Sequence, residues 1–106
     1  MDSLSGKTLR WTFTDGPVAG MRFEHTFDAD GSVTWRILDG PGQGQSKREE
    51  RYGTLPLSED VSTVSYMSAA GDTLTVVLDF STGRMCAFAS SRSDWYPLTG
   101  TFEVVQ

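Results

Sequence analysis

Six glycine-bearing turn signals cut this 106-residue chain into short runs: Asp15-Gly16-Pro17, Asp30-Gly31, Asp39-Gly40-Pro41-Gly42, Ala70-Gly71-Asp72, Thr82-Gly83 and Thr99-Gly100. The runs between them are rich in Val, Thr, Phe, Trp and Tyr, residues that suit a pleated, half-buried surface. They also alternate. Leu9, Trp11 and Phe13 alternate with Arg10, Thr12 and Thr14, and Val33, Trp35 and Ile37 alternate with Thr34 and Arg36. Leu74, Val76, Leu78 and Phe80 do the same with Thr75, Val77 and Asp79. No window of useful length repeats its apolar residues at helical spacing.

The pattern predicts an all-β chain of about eight strands, near residues 7–15, 20–28, 32–38, 47–55, 60–67, 73–80, 84–90 and 98–105. Residues 1–106 are expected to form one domain, since the length leaves no room for a second. Short, regularly spaced strands suggest a small antiparallel up-and-down barrel, because closure removes exposed sheet edges. An eight-stranded barrel has an interior just wide enough for side chains or one small ligand. The segments 40–47, "GPGQGQSK", and 90–97, "SSRSDWYP", are the longest expected loops and candidate lips of its mouth.

Charge and cysteine content narrow the function. A net charge of −5 argues against a nucleic-acid partner, which calls for a basic face. The single cysteine, Cys86, excludes an internal disulfide and a Cys/His zinc cluster, so no metal and no cofactor is expected. In "RMCAFA" it reads as a small buried hydrophobe. No apolar run approaches the ~20 residues of a membrane span, and "MDSLSGK" lacks the features of an export signal. The expectation is a cytoplasmic domain with no membrane partner.

The lone histidine stands in "RFEHTF", residues 22–27. Read as a strand, this places Phe23, His25 and Phe27 on one face, the apolar and therefore inward one. His25 is then either a core histidine bonded to a carbonyl or a tyrosine, or a general acid or base in an aromatic-walled pocket. Desolvation there would disfavour its charged form and keep it neutral at pH 7. Trp11, Phe13, Phe23, Phe27, Trp35 and Tyr66 would converge on the same interior, as packing or as pocket wall. Tyr66 adds a hydroxyl that needs a partner if buried.

Other features read as structure. Arg36 falls on the outer face, where a surface ion pair is its expected role. The mixed run Lys47-Arg48-Glu49-Glu50-Arg51 reads as a solvated strand edge. "GPGQGQ" lacks the phosphate-loop pattern and has no helix after it to hold an anion.

"SGKTLRWTFTDGP", "FEHTFDADGSVTWR", "VSYMSAAGDTLTVVLDFSTGRMCAFAS" and "WYPLTGTFEVV", in that order, resemble the MoaF-like proteins, a family of calycin-type, lipocalin-like small barrels. The likeness runs from about Leu4 to Val105 and rests on the order of strands and turns. A more distant similarity links the chain to bacterial phenolic acid decarboxylases, also calycin barrels and dimers. The similarity implies that Trp11, Phe13, Phe23 and His25 face the cavity, and it extends to a homodimer. Where those enzymes hold substrate with two first-strand tyrosines, this chain has Trp11 and Phe13. Their glutamate falls at about Ser68 and their catalytic arginine near Gln45, so decarboxylation by that mechanism is not expected.

Three functions follow. The first is a barrel that binds a small apolar or aromatic ligand among Trp11, Phe13, Phe23, Trp35, Tyr66 and Ser68. The second is a cofactor-independent lyase, isomerase or cyclase in the same pocket, with His25 as general acid or base and Tyr66 beside it. The third is an interaction domain with a filled interior, pairing through the outer face that carries Leu38 and Val77.

Overall fold

The computed structural model describes residues 4–105. Its strands are β1 (Thr8–Phe13), β2 (Arg22–Phe27), β3 (Val33–Asp39), β4 (Ser46–Glu49), β5 (Tyr52–Pro56), β6 (Val61–Met67), β7 (Thr73–Asp79), β8 (Arg84–Ser90) and β9 (Trp95–Val104). A 3-10 turn, Gly16–Val18, interrupts the β1–β2 connection. The nine strands found among the described residues join one antiparallel sheet in the order β4-β3-β2-β1-β9-β8-β7-β6-β5, curled into a nearly closed barrel.

Nine strands and an expected eight describe the same barrel. Tracing strand directions through the antiparallel pairings, β4 and β5 run the same way. They are two halves of one strand bent at Glu50-Arg51, the first pairing with β3 and the second with β6. Glu49 and Tyr52 both face inward, with two exposed residues between them where strict alternation would leave one. The extra residue bends the chain, as a bulge does. The Tyr52 amide then donates to the Gly31 carbonyl at 3.0 Å, tying the bend to the β2–β3 turn.

Two further expectations change. Thr99-Gly100 is not a turn: it lies inside β9, which begins at Trp95. Gly100 pairs with Phe13 on one side and Met85 on the other. Any Cβ there would run into the backbone carbonyl of Thr12, so glycine lets β1 and β9 approach closely. Cys86 is exposed, not buried. On β8 the inward positions are Met85 and Ala87, which turns Cys86 outward.

Alternation otherwise sorts the strands as their sequences imply. Leu9, Trp11 and Phe13 point inward from β1, and His25 and Phe27 from β2. Arg36 points outward and meets Glu24 at 3.1 Å, beside a second pair between Arg10 and Glu24 at 3.1 Å. The connections 28–32, 57–60 and 80–83 share one end of the barrel. Near that end Leu9, Phe27, Val33 and Leu78 are buried and pack it shut. The connections 14–21, 40–45, 68–72 and 91–94 gather at the other end. The barrel opens there.

Candidate functional site: an aromatic pocket with a polar floor

Inside the open end lies a cavity of about 460 Å³. Phe13, Phe23, Trp35 and Tyr66 line it, together with Leu74 and Leu98. Phe23 packs edge-on against both Phe13 and Trp35, at centroid distances of 5.6 and 6.4 Å. These rings come from three adjacent strands in register: Trp11 pairs with Phe23 and His25 with Trp35, which stacks their inward side chains on one wall. The rim comes from Val18, from Ser68 and Asp72 of the β6–β7 connection, and from Ser91 and Asp94 of the β8–β9 connection. Segment 90–97 thus contributes to the mouth. Segment 40–47 does not line it: residues 46 and 47 belong to β4, and Ile37 bonds Gly44 and Gln45 to extend the β3–β4 hairpin.

His25 forms part of the floor and is 2% exposed. Its Nε2 lies 2.8 Å from the Tyr66 hydroxyl, across the barrel. Trp11 stacks on its other side at 3.8 Å between ring centroids and 16° between planes. Nδ1 is buried with no hydrogen-bond partner among the described residues, and so is Nε1 of Trp11. Burial pushes the imidazole pKa down to about 3, so the ring is neutral at pH 7. Burial first, and then the Glu49 carboxylate, raise the Tyr66 phenol above its ordinary value. Neither group carries charge near neutrality.

Glu49 does what its sequence context hid. Read within a solvated charge run, it is 3% exposed and lines the pocket. Its Oε2 accepts a hydrogen bond from Trp35 Nε1 at 3.0 Å. The register explains it: Glu49 pairs with Val33, an inward position of β3, so its side chain points inward as well. Arg48 next to it turns outward and meets Asp30 at 3.2 Å. The signal available beforehand was the indole N–H of Trp35, a part-buried donor that calls for an acceptor.

Of the side chains expected from sequence to bind ligand or catalyse, all but one line the cavity. Phe13, Phe23, His25, Trp35, Tyr66 and Ser68 all line the cavity. Trp11 does not; it is 0% exposed, covered by the His25 ring. Ser68 sits at the rim, its hydroxyl accepting from the Asp72 amide at 3.2 Å. Among the described residues no group of three or more His, Cys, Asp or Glu side chains is placed to hold a metal ion. No helix among them is long and apolar enough to cross a membrane.

Comparison with known proteins agrees with this architecture. The fold is similar to that of the crystal structure of a Burkholderia vietnamiensis protein described as a candidate beta-lactamase, with a TM-score of 0.85 over 98% of this chain and 97% of that one. Identity is 24%, so the likeness speaks for the fold alone. No curated protein matches the sequence. The MoaF-like family signature matches residues 5–103, nearly the whole barrel. The chain belongs to the MoaF-like family.

Proposed function

We propose that this barrel is a cytoplasmic small-molecule-binding protein whose ligand is a small apolar or aromatic compound. The observation that carries the reading is the cavity of about 460 Å³, walled by Phe13, Phe23, Trp35 and Tyr66 and open at one end. Concave, largely apolar sites with a few converging polar groups are where small ligands bind. Here those groups are the Tyr66 hydroxyl, held by His25, and the Glu49 carboxylate, held by Trp35. Rings fixed by packing lose little freedom when a ligand arrives. The free cysteine and the lack of any disulfide suit a reducing compartment.

The enzyme alternative draws less support. A histidine with its pKa near 3 has almost no acid form at pH 7 and is a weak base there. The description of the Burkholderia protein is not carried over either. Serine β-lactamases place a lysine three residues after the nucleophile, and neither Lys7 nor Lys47 stands three residues after a serine.

The test is saturable binding of an uncharged apolar fluorophore, N-phenyl-1-naphthylamine, by the wild type and by Ala89→Phe, which fills the pocket from its wall. One-to-one binding that the variant loses while keeping its fold is the expected result. Binding that survives Ala89→Phe unchanged would place the dye elsewhere and end this reading.

A further inference from the structure

The charged side chains that line the cavity are of one sign. Glu49, Asp72 and Asp94 line it, and among the described residues no lysine or arginine does. Asp72 and Asp94 stand at the rim, on separate connections. Glu49 is different in kind, because it is 3% exposed. Among the described residues its Oε2 takes the Trp35 indole hydrogen bond, and no lysine or arginine forms an ion pair with it. Burying a carboxylate without a countercharge is costly. A chain under pressure only to pack this position would place an apolar residue there.

We infer that the ligand of this pocket is an organic cation: a protonated amine on a small apolar or aromatic body, with its N–H groups on Glu49 and its body among the rings. This rests on the binding reading above and adds the ligand's charge to it. The geometry meets both needs of such a ligand. An ammonium group donates to a carboxylate through charge-assisted hydrogen bonds, about twice as strong as neutral ones. Trp35, Phe23 and Tyr66 present aromatic surface in the same cavity, which attracts a cation through the ring quadrupole. The groups facing Glu49 from the other side do not compete, since His25 is neutral and Tyr66 keeps its proton. Asp72 and Asp94 at the mouth add longer-range attraction for a cation and repel an anion, an effect that salt screens. The same charges would disfavour a carboxylate ligand such as a phenolic acid.

Three compounds of nearly equal shape separate the cases: 2-phenylethylamine, 2-phenylethanol and phenylacetate, each titrated by calorimetry or by displacement of N-phenyl-1-naphthylamine. The amine is expected to bind about tenfold more tightly than the alcohol at low salt, the gain of one charge-assisted bond over a neutral one. Phenylacetate is expected to bind most weakly. In Glu49→Gln, which keeps an acceptor for Trp35 but not the charge, the amine's advantage should shrink to about twofold. If that variant does not fold, the Asp72→Asn/Asp94→Asn double variant and added salt should each reduce the advantage in a protein with Glu49 intact. An alcohol that binds as well as the amine, an anion that binds best, or no binding by any of the three overturns the cation inference. In each case retained one-to-one dye binding leaves the pocket reading standing, whereas loss of dye binding as well removes both.

Discussion

Nε2 of His25 and the hydroxyl of Tyr66 meet at 2.8 Å across the barrel interior, joining β2 to β6 through side chains alone. The two strands lie far apart in the pairing order, so this bond spans the pocket floor and does not follow the sheet. A neutral imidazole carries one N–H. With the proton on Nε2, Tyr66 accepts from His25 and its own O–H is free to donate toward a ligand.

His25 should not titrate in its usual range. Its ring signals in proton NMR are expected to stay fixed from pH 8 down to pH 5, because the native pKa is near 3. Stability should follow. The unfolded chain takes up a proton near pH 6.5 that the native ring refuses, so the unfolded state binds more protons over that window. The contribution of His25 is therefore intact above about pH 6.5 and is lost as pH falls, by up to roughly 1.4 kcal/mol per pH unit until the native pKa is reached. Urea unfolding at a series of pH values reads the slope, and His25→Gln should flatten it. A ring that titrates near pH 6.5 in the folded protein would mean that it is solvated.

Tyr66→Phe removes one hydroxyl and leaves Nε2 of a buried ring without its partner. Nδ1 already lacks one among the described residues, so the imidazole would be buried with no hydrogen bond. A loss of roughly 1–3 kcal/mol is expected in chemical denaturation. A change within about 0.5 kcal/mol, the level of an ordinary surface substitution, would mean that the bond contributes little.

Gly100→Ala tests the contact between β1 and β9. The added methyl group meets the Thr12 backbone carbonyl, which cannot swing aside as a side chain could. Overpacking of this kind costs about 1–3 kcal/mol, visible as a lower unfolding midpoint. An unchanged midpoint would show that the two strands can separate without loss.

Cys86 is exposed on the outer face of β8. It should react fully with a thiol reagent in the native protein, at a rate that denaturant raises only modestly. Protection until unfolding would show that another surface covers this face.

The sequence made the inward residues legible wherever a strand kept strict alternation. Leu9, Trp11 and Phe13 could be assigned from β1 alone, and His25 from its place between Phe23 and Phe27. The barrel was legible too, because its turns are marked by glycine and aspartate. What was hidden depended on tertiary relationships. Glu49 looked solvated among charged neighbours, and only its register with Val33 turns it inward. The bend at Glu50-Arg51 leaves no glycine or proline signal, so β4 and β5 read as one straight strand. Gly100 looked like a turn, although its role is to let another strand's backbone come close. The cover of His25 over Trp11 is a stacking detail that alternation does not resolve.

The most direct test of the central claim is an amide and indole chemical-shift map of the protein titrated with N-phenyl-1-naphthylamine. Saturable shifts are expected only in the pocket, at Phe23, Trp35, Tyr66 and Ala89, with the Trp35 indole N–H beside Glu49 among the largest. The competing surface is the exposed stack of Phe88 on Trp95, whose rings lie 5.3 Å apart on the outside of the barrel. Shifts centred on Phe88 and Trp95, with the pocket residues unmoved, would contradict the claim.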